Sequence, residues 1–395
     1  MADPPPPIRI SYIPDDMVLE ILARLPLKSL LSFRRVCKSW NSIISSRYFF
    51  ATHLKYGPRR GYYLLYQTML AQIHEPSCTV VCDRTYDRIS KLKLPFMHAR
   101  IVGSCNGLLC VESLGDRGRL SLWNPSIARF KVLPAPCLLA RGYSVTYGFT
   151  YVSEENDFKI VRISYSEFST TLPQAQVYTL SSNSWRSIDD PIPLKPDVQI
   201  YNIGCNHLPC PFIAGALHWI VRSKGSCEDY GSGNKKILSF DLRDEKFGKM
   251  ALPSSYLYYH DGWEYLGLFK GKLALFSFSN SRCGIWVMTD YGMAESWTLL
   301  RNVEFEPGVI DFRGCTDGGA VVIARMRREF SSISFIETHE EAPHRERILD
   351  GGHLLIFAAP FVESLALLDA SHDKVNVDHQ SLRHQMTKEA VIPNQ

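Results

Sequence analysis

The sequence lacks the residue patterns on which common catalytic and metal sites depend. Its 395 residues contain no Gly-x-x-x-x-Gly-Lys phosphate loop, no Gly-x-Ser-x-Gly elbow and no His-Glu-x-x-His pair. Cys-x-x-Cys spacing is also missing, and Cys205, His207 and Cys210 have no fourth zinc ligand, so we interpret them as ordinary loop residues. We therefore expect a non-catalytic chain that needs neither a metal nor another cofactor.

Signals for a membrane or for secretion are equally scarce. The most apolar late stretch, residues 353–369, is interrupted by Pro360 and Glu363 and is too short to span a bilayer. The N-terminus, MADPPPPIRI, has no apolar signal core, and no Asn-x-Ser/Thr acceptor occurs. Eleven irregularly spaced cysteines do not resemble a disulfide framework. We expect no membrane contact and a reducing compartment, either cytoplasm or nucleus.

The charge is too mild to indicate nucleic acid as a partner. The formal net charge is +4, and the sequence pI is about 8.4. A nucleic-acid-binding domain is expected to have a pI above about 9 with clustered Lys and Arg. Composition, at 45% hydrophobic and 21% charged residues, is that of an ordinary globular protein.

Residues 13–44 predict three short helices. Asp15 and Asp16 follow Pro14, where an acid can cap a first helix, and apolar residues then recur at helical spacing until Pro26. A second helix is predicted at Leu27–Leu31, and a third from a stripe that begins at Val36 and includes Trp40, Ile43 and Ile44. We interpret Cys37 as a small buried residue rather than a reactive thiol. So short a segment can hardly bury its own apolar surface, which favours docking to a partner, although packing of a helical hairpin on its own chain is the alternative.

This segment resembles the F-box, through Ile-Pro-Asp-Asp at 13–16, Arg-Leu-Pro-Leu-Lys-Ser-Leu at 24–30 and Val-Cys-Lys-Ser-Trp at 36–40. The resemblance implies binding to an acidic Skp-type adaptor and, through it, to cullin and RING subunits of a ubiquitin ligase. The basic balance of the segment suits such a partner. By motif position, the adaptor-binding residues would be Pro14, Ile21, Leu22, Leu25, Pro26, Leu30, Leu31, Val36 and Trp40.

The following region repeats a pattern of paired aromatic residues. Two aromatics stand seven residues apart at Trp123/Phe130, Tyr178/Trp185 and Phe240/Phe247, and eleven apart at Trp286/Trp297. A hairpin with a four-residue turn brings such positions together across two strands. Successive first aromatics are 55, 62 and 46 residues apart, near the length of a kelch-like blade. The spacing predicts an all-β propeller-like domain.

This region is similar to the F-box-associated domain of plants, through CNGLLC, LWNPS, YGFTYVSEENDFKIVRI, GALHWIV and FVESLALL. We therefore expect an α+β multidomain chain: a disordered proline-rich lead (1–9), a three-helix F-box (10–50), a linker (51–60), the propeller-like domain (61–370) and a flexible tail (371–395). The resemblance implies that the β-domain captures an unknown protein substrate for ubiquitination and degradation. Rigid aromatics predict the substrate contacts as Tyr256, Tyr258, Tyr259, His260 and Trp263.

Two other classes of function remain open at this point. The chain could be an F-box scaffold that acts outside the ligase, and would then leave the turnover of its partner unchanged. Alternatively, the propeller could be a glycan-binding or hydrolase domain, which would need an aromatic platform for sugar or carboxylates that converge on one mouth.

Overall fold

The computed structural model describes residues 13–57, 63–70, 76–94, 98–114, 119–137, 144–165, 172–194, 198–200, 208–223, 235–253, 263–279, 282–304, 309–316, 318–326, 331–336, 345–348 and 353–368. Four helices come first: α1 Asp15–Ala23, α2 Leu27–Phe33, α3 Lys38–Ser45 and α4 Arg47–Tyr56. The predicted three-helix bundle therefore gains a fourth helix. This helix also occupies residues 51–56 of the predicted linker. Ser46 caps its first turn by accepting a hydrogen bond from the Phe49 amide.

Three local expectations for the helices are wrong. Pro14 occupies the cap of α1 and no side chain caps that helix, so Asp15 and Asp16 contribute only favourable charge near the helix N-terminus. Cys37 is exposed rather than buried, and its sulfur accepts a hydrogen bond from the Trp40 amide as the cap of α3. Val36 lies outside α3 and is exposed, so it does not continue the apolar stripe of that helix.

In the part of the chain that the structure describes, twenty-five strands follow the helices. They are β1 Tyr63–Leu70, β2 Pro76–Cys82, β3 Arg88–Lys93, β4 Ala99–Cys105, β5 Leu108–Ser113, β6 Leu120–Asn124, β7 Arg129–Val132, β8 Ser144–Val152, β9 Asp157–Tyr165, β10 Gln174–Thr179, β11 Ser184–Ser187, β12 Val198–Ile200, β13 Phe212–Ile213, β14 Ala216–Ser223, β15 Lys235–Asp241, β16 Lys246–Met250, β17 Trp263–Phe269, β18 Lys272–Ser279, β19 Arg282–Met288, β20 Trp297–Glu304, β21 Val309–Cys315, β22 Val321–Met326, β23 Ser331–Ile336, β24 Arg345–Ile348 and β25 His353–Phe361.

These strands form six antiparallel sheets, the blades of a propeller. Blades 2, 3, 5 and 6 each contain four consecutive strands, β4–β7, β8–β11, β17–β20 and β21–β24. In blade 4 two short strands, β12 and β13, both pair with β14. Blade 1 joins the two ends of the domain, because β25 pairs with β1 beside β2 and β3. This pairing closes the ring, because the last strand of the domain completes its first blade.

The predicted aromatic pairs lie in the outer hairpins of the blades. Trp123 is opposite Phe130, Tyr178 opposite Trp185 and Phe240 opposite Phe247, each across a four-residue turn. The ring centroids of the last two pairs are 5.4 and 4.6 Å apart. The fourth pair is wrong in register, because the connection 289–296 places Met288 opposite Trp297 and therefore Leu299 opposite Trp286.

The two ends of the propeller differ in their connections. We call the end that carries the turns 106–107, 125–128, 153–156, 180–183, 214–215, 242–245 and 270–271 the proximal face. The opposite end, where β4, β8, β17, β21 and β25 begin, is the distal face. The connections whose two strand ends lie on the distal face include three long ones, residues 133–143, 224–234 and 251–262. Long loops on a rigid scaffold are where binding residues concentrate.

The F-box helices lie on the proximal face at blades 2 and 3. Their core contains Leu22, Leu30, Ile44 and Phe49, together with Leu365 from the segment that follows β25. Each of these five side chains is at most 2% exposed. The F-box therefore shares its hydrophobic core with the C-terminal end of the propeller.

Candidate functional site

The F-box presents an apolar surface that its own core does not cover. Ile13, Met17 and Ile21 follow one another at four-residue intervals and are 54%, 52% and 52% exposed. Met17 and Ile21 therefore lie on one side of α1, and Ile13 precedes that helix. Val36, after α2, is 62% exposed. We call these four residues the apolar F-box surface, and exposed side chains of this kind are typical of a protein-binding site.

The nine residues predicted to contact an adaptor fall into three groups by exposure. Pro14, Ile21 and Val36 are exposed; Leu25, Pro26, Leu31 and Trp40 are half-buried; Leu22 and Leu30 are buried. The buried pair supports the surface from within and is not accessible to a partner. Ile13 and Met17 were missed by the sequence reasoning, although their spacing to Ile21 is visible in the sequence.

A residue of α4 holds the turn between α1 and α2 in place. One ring nitrogen of His53 donates to the Leu25 carbonyl oxygen at 3.1 Å. Burial lowers the pKa of His53 below its ordinary value, so the ring stays neutral at pH 7. Phe33 and Trp40, whose ring centroids are 5.4 Å apart, join α2 to α3. These contacts fix the helices that carry the apolar F-box surface.

Of the five predicted substrate residues, the structure describes one, which lies at the distal face. Tyr256, Tyr258, Tyr259 and His260 lie outside the described residues. Trp263 is described: it begins β17, lies opposite Phe278 and is 53% exposed. The connection that contains the other four residues joins β16 to β17 and therefore starts and ends on this same face.

Buried charges near the distal face are paired with bases. Glu112 accepts from Arg100 Nε at 2.6 Å and from the Tyr147 hydroxyl at 3.0 Å. Burial, assisted by Glu112, raises the pKa of Tyr147, so its hydroxyl remains a donor. Glu264 lies against the Lys235 ammonium group in a second buried pair. These two glutamates, the buried ones of the described part, each pair with a basic side chain from another strand.

The described residues contain no cluster of three or more His, Cys, Asp or Glu side chains suited to a metal ion. Cys210 is described, while Cys205 and His207 lie outside the described part. Burial raises the pKa of the Cys210 thiol, whose sulfur lies 3.2 Å from the His218 carbonyl oxygen. Within the same part of the chain, no helix has the length and apolar character needed to cross a membrane.

A cavity of about 470 Å³ lies where the F-box meets the propeller. Its walls include Ile44 and Phe50 from the helices, Phe158 and Leu180 from blade 3, and Leu367 from the C-terminal segment. This position is on the proximal face. Trp263, the predicted substrate residue that the structure describes, is not part of this cavity.

Comparison with known proteins identifies both parts of this architecture. Residues 10–52 match the F-box domain, and residues 62–340 match the F-box associated beta propeller domain. The chain belongs to the family of plant-type F-box proteins with an F-box-associated propeller.

Three proteins of Arabidopsis thaliana illustrate the relationship. An F-box protein is 27% identical over 80% of this chain and 87% of its own length. A putative F-box protein is 30% identical over 61% of each chain. An F-box/kelch-repeat protein is 27% identical over 76% of this chain and 81% of its own.

Proposed function

We propose that this chain is the substrate-recognition subunit of an SCF-type (Skp–cullin–F-box) ubiquitin ligase. In this proposal the F-box docks on a Skp-type adaptor, which connects it to cullin and RING subunits in the cytoplasm or nucleus. The propeller binds a protein substrate, which is then ubiquitinated and degraded. The chain itself supplies position rather than chemistry, because holding a lysine near the activated ubiquitin raises its effective concentration.

The observation that carries the proposal is the separation of two surfaces on one framework. The apolar F-box surface lies on the helical segment attached to the proximal face, whereas the exposed Trp263 and the strand ends that flank the long connections lie at the distal face. A receptor that bridges two partners needs two such surfaces that can be occupied together. The paired state of Glu112 and Glu264 gives no support to the hydrolase alternative.

The test is a pull-down of purified Skp-type adaptor by the intact chain, followed by reconstitution with cullin, RING and ubiquitin-conjugating subunits. We expect the adaptor to bind and ubiquitin to be transferred in a reaction that depends on the F-box. A well-folded chain that does not retain the adaptor would refute the proposal. A chain that binds the adaptor but leaves the turnover of its captured partners unchanged would instead be a scaffold.

A further inference from the structure

The joint between the F-box and the propeller is formed by the first turn of α4 and the β8–β9 turn. The Arg47 guanidinium donates to the Asn156 carbonyl oxygen at 2.5 Å, and the Asn156 side-chain amide donates back to the Arg47 carbonyl oxygen at 3.0 Å. Arg47 also lies 3.3 Å from the carboxylate of Asp157. Arg47 and Asn156, which are 109 residues apart in sequence, thus each donate a hydrogen bond to the other's carbonyl oxygen.

Asn156 and Asp157 are themselves held tightly by blade 3. The Tyr151 hydroxyl donates to the Asn156 side-chain oxygen at 2.7 Å, and Asn156 has a φ of 50°, a conformation that asparagine tolerates better than most residues. The Asp157 carboxylate accepts from the amides of Phe158 and Ser181 at 2.8 and 3.2 Å. Because the Asp157 side chain is only 4% exposed, its charge depends on these partners and on Arg47.

One turn further along α4, Phe50 inserts into the propeller. Its ring centroid is 5.7 Å from that of Tyr151 and 5.8 Å from that of Phe158. Leu365 adds a third, apolar connection, because it is 2% exposed within the F-box core. The Asn124 side-chain amide holds the segment that carries Leu365, by donating to the carbonyl oxygens of Ser364 and Ala366 at 2.9 and 2.8 Å.

Domains in one chain usually move relative to each other unless their interface is large and apolar. Here a shared hydrophobic core, an inserted aromatic ring and a two-way polar contact all act at one joint. We infer that this joint is a rigid coupling in which Arg47 and Phe50 are positioning residues that hold the F-box at a fixed distance and orientation from the distal face. Its consequence for ubiquitin transfer rests on the proposed function, since a fixed joint would determine which lysines can be reached.

The distance between the two parts can be measured in the full-length chain without any partner. Spin labels carried by a ketone-bearing amino acid at Lys38 in the F-box and Leu172 near the distal face, both exposed, avoid the native cysteines. We expect a narrow distance distribution for the otherwise wild-type chain. We expect Arg47→Glu to widen it about twofold, because the new carboxylate meets Asp157 and the joint then behaves like an ordinary domain interface.

The variants are chosen to leave the folded elements intact. Arg47 is half-exposed and is the first residue of α4, where a glutamate suits the helix dipole. Phe50→Ala is a second variant that removes the ring contact without adding charge. Arg282→Glu is the matched control, since Arg282 pairs with Glu304 in an exposed contact within blade 5.

A broad distance distribution in the wild-type chain would overturn the inference. It would also be overturned if the distance distribution stayed narrow in both Arg47→Glu and Phe50→Ala. Widening in those two variants but not in Arg282→Glu would support it. The proposed function fails or holds separately, through the adaptor pull-down. If the adaptor binds, Arg47→Glu should keep the Kd for adaptor within about twofold. It should also change which of the chain's own lysines receive ubiquitin, and an unchanged lysine pattern would contradict the positioning role.

Discussion

Replacement of Ile21 by aspartate tests the apolar F-box surface most directly. Ile21 is 52% exposed in the free chain, so half of its side chain is available to a partner and little folding energy depends on it. Covering that half contributes about 1 kcal/mol. An unpaired carboxylate in an apolar contact costs roughly 2 kcal/mol more. The total of about 3 kcal/mol corresponds to a roughly 100-fold weaker Kd.

The assay is titration calorimetry of the intact chain with purified Skp-type adaptor, alongside thermal unfolding of each variant. Ile89→Asp is the matched control, because Ile89 is 53% exposed on β3 of blade 1, in the propeller. Leu25 is a poorer choice, since it packs against the F-box core and its carbonyl bonds to His53. An Ile21→Asp variant that binds as tightly as the wild type, or an Ile89→Asp variant that is weakened equally, would refute the assignment of this surface.

Three further predictions concern stability, each checked by urea or thermal unfolding. Leu365→Ala should lose about 2–5 kcal/mol and weaken adaptor binding as well, whereas Leu300→Ala, at a 54% exposed site, should change neither. Burial lowers the pKa of His218 to about 4, so the unfolded chain binds the proton at a higher pH than the folded chain does. The free energy of unfolding should therefore fall by roughly 3 kcal/mol as the pH drops from 6.5 to 4. In His218→Gln this dependence on pH should be weaker, and an unchanged dependence would show that His218 is not its source. Gly107→Ala should lower the free energy of unfolding more than Gly215→Ala does. Both glycines have a positive φ, but only at Gly107 would the added carbon meet a backbone carbonyl oxygen, at 2.3 Å. Equal losses would show that this close approach is unimportant.

Local sequence patterns were sufficient to predict the outer hairpins of three blades. The members of Trp123/Phe130, Tyr178/Trp185 and Phe240/Phe247 are each seven residues apart, as a hairpin with a four-residue turn requires, and the structure confirms each pair. The number of blades could not be predicted in the same way. Blade 1 is assembled from the two ends of the domain, so no contiguous stretch of sequence contains its repeat.

The motif predicted which residues would contact an adaptor, but it could not predict which of them are accessible. A helical stripe shows which residues share a side, but whether that side is covered depends on the fourth helix and on Leu365, more than 300 residues away. The joint was missed for a related reason. Asn156 and Asp157 were noticed only as part of a family motif, and their role depends on Arg47, which no local pattern connects to them.

The shared core has a consequence for how the chain is made. During synthesis the N-terminal helices emerge first, yet Leu365 and the closing strand β25 are added near the end. A product that stops before residue 353 has neither a closed ring nor a complete helical core. A premature stop thus disrupts the helical core and the propeller together, and if the proposed function holds, the shortened chain should not compete with the intact chain for the adaptor.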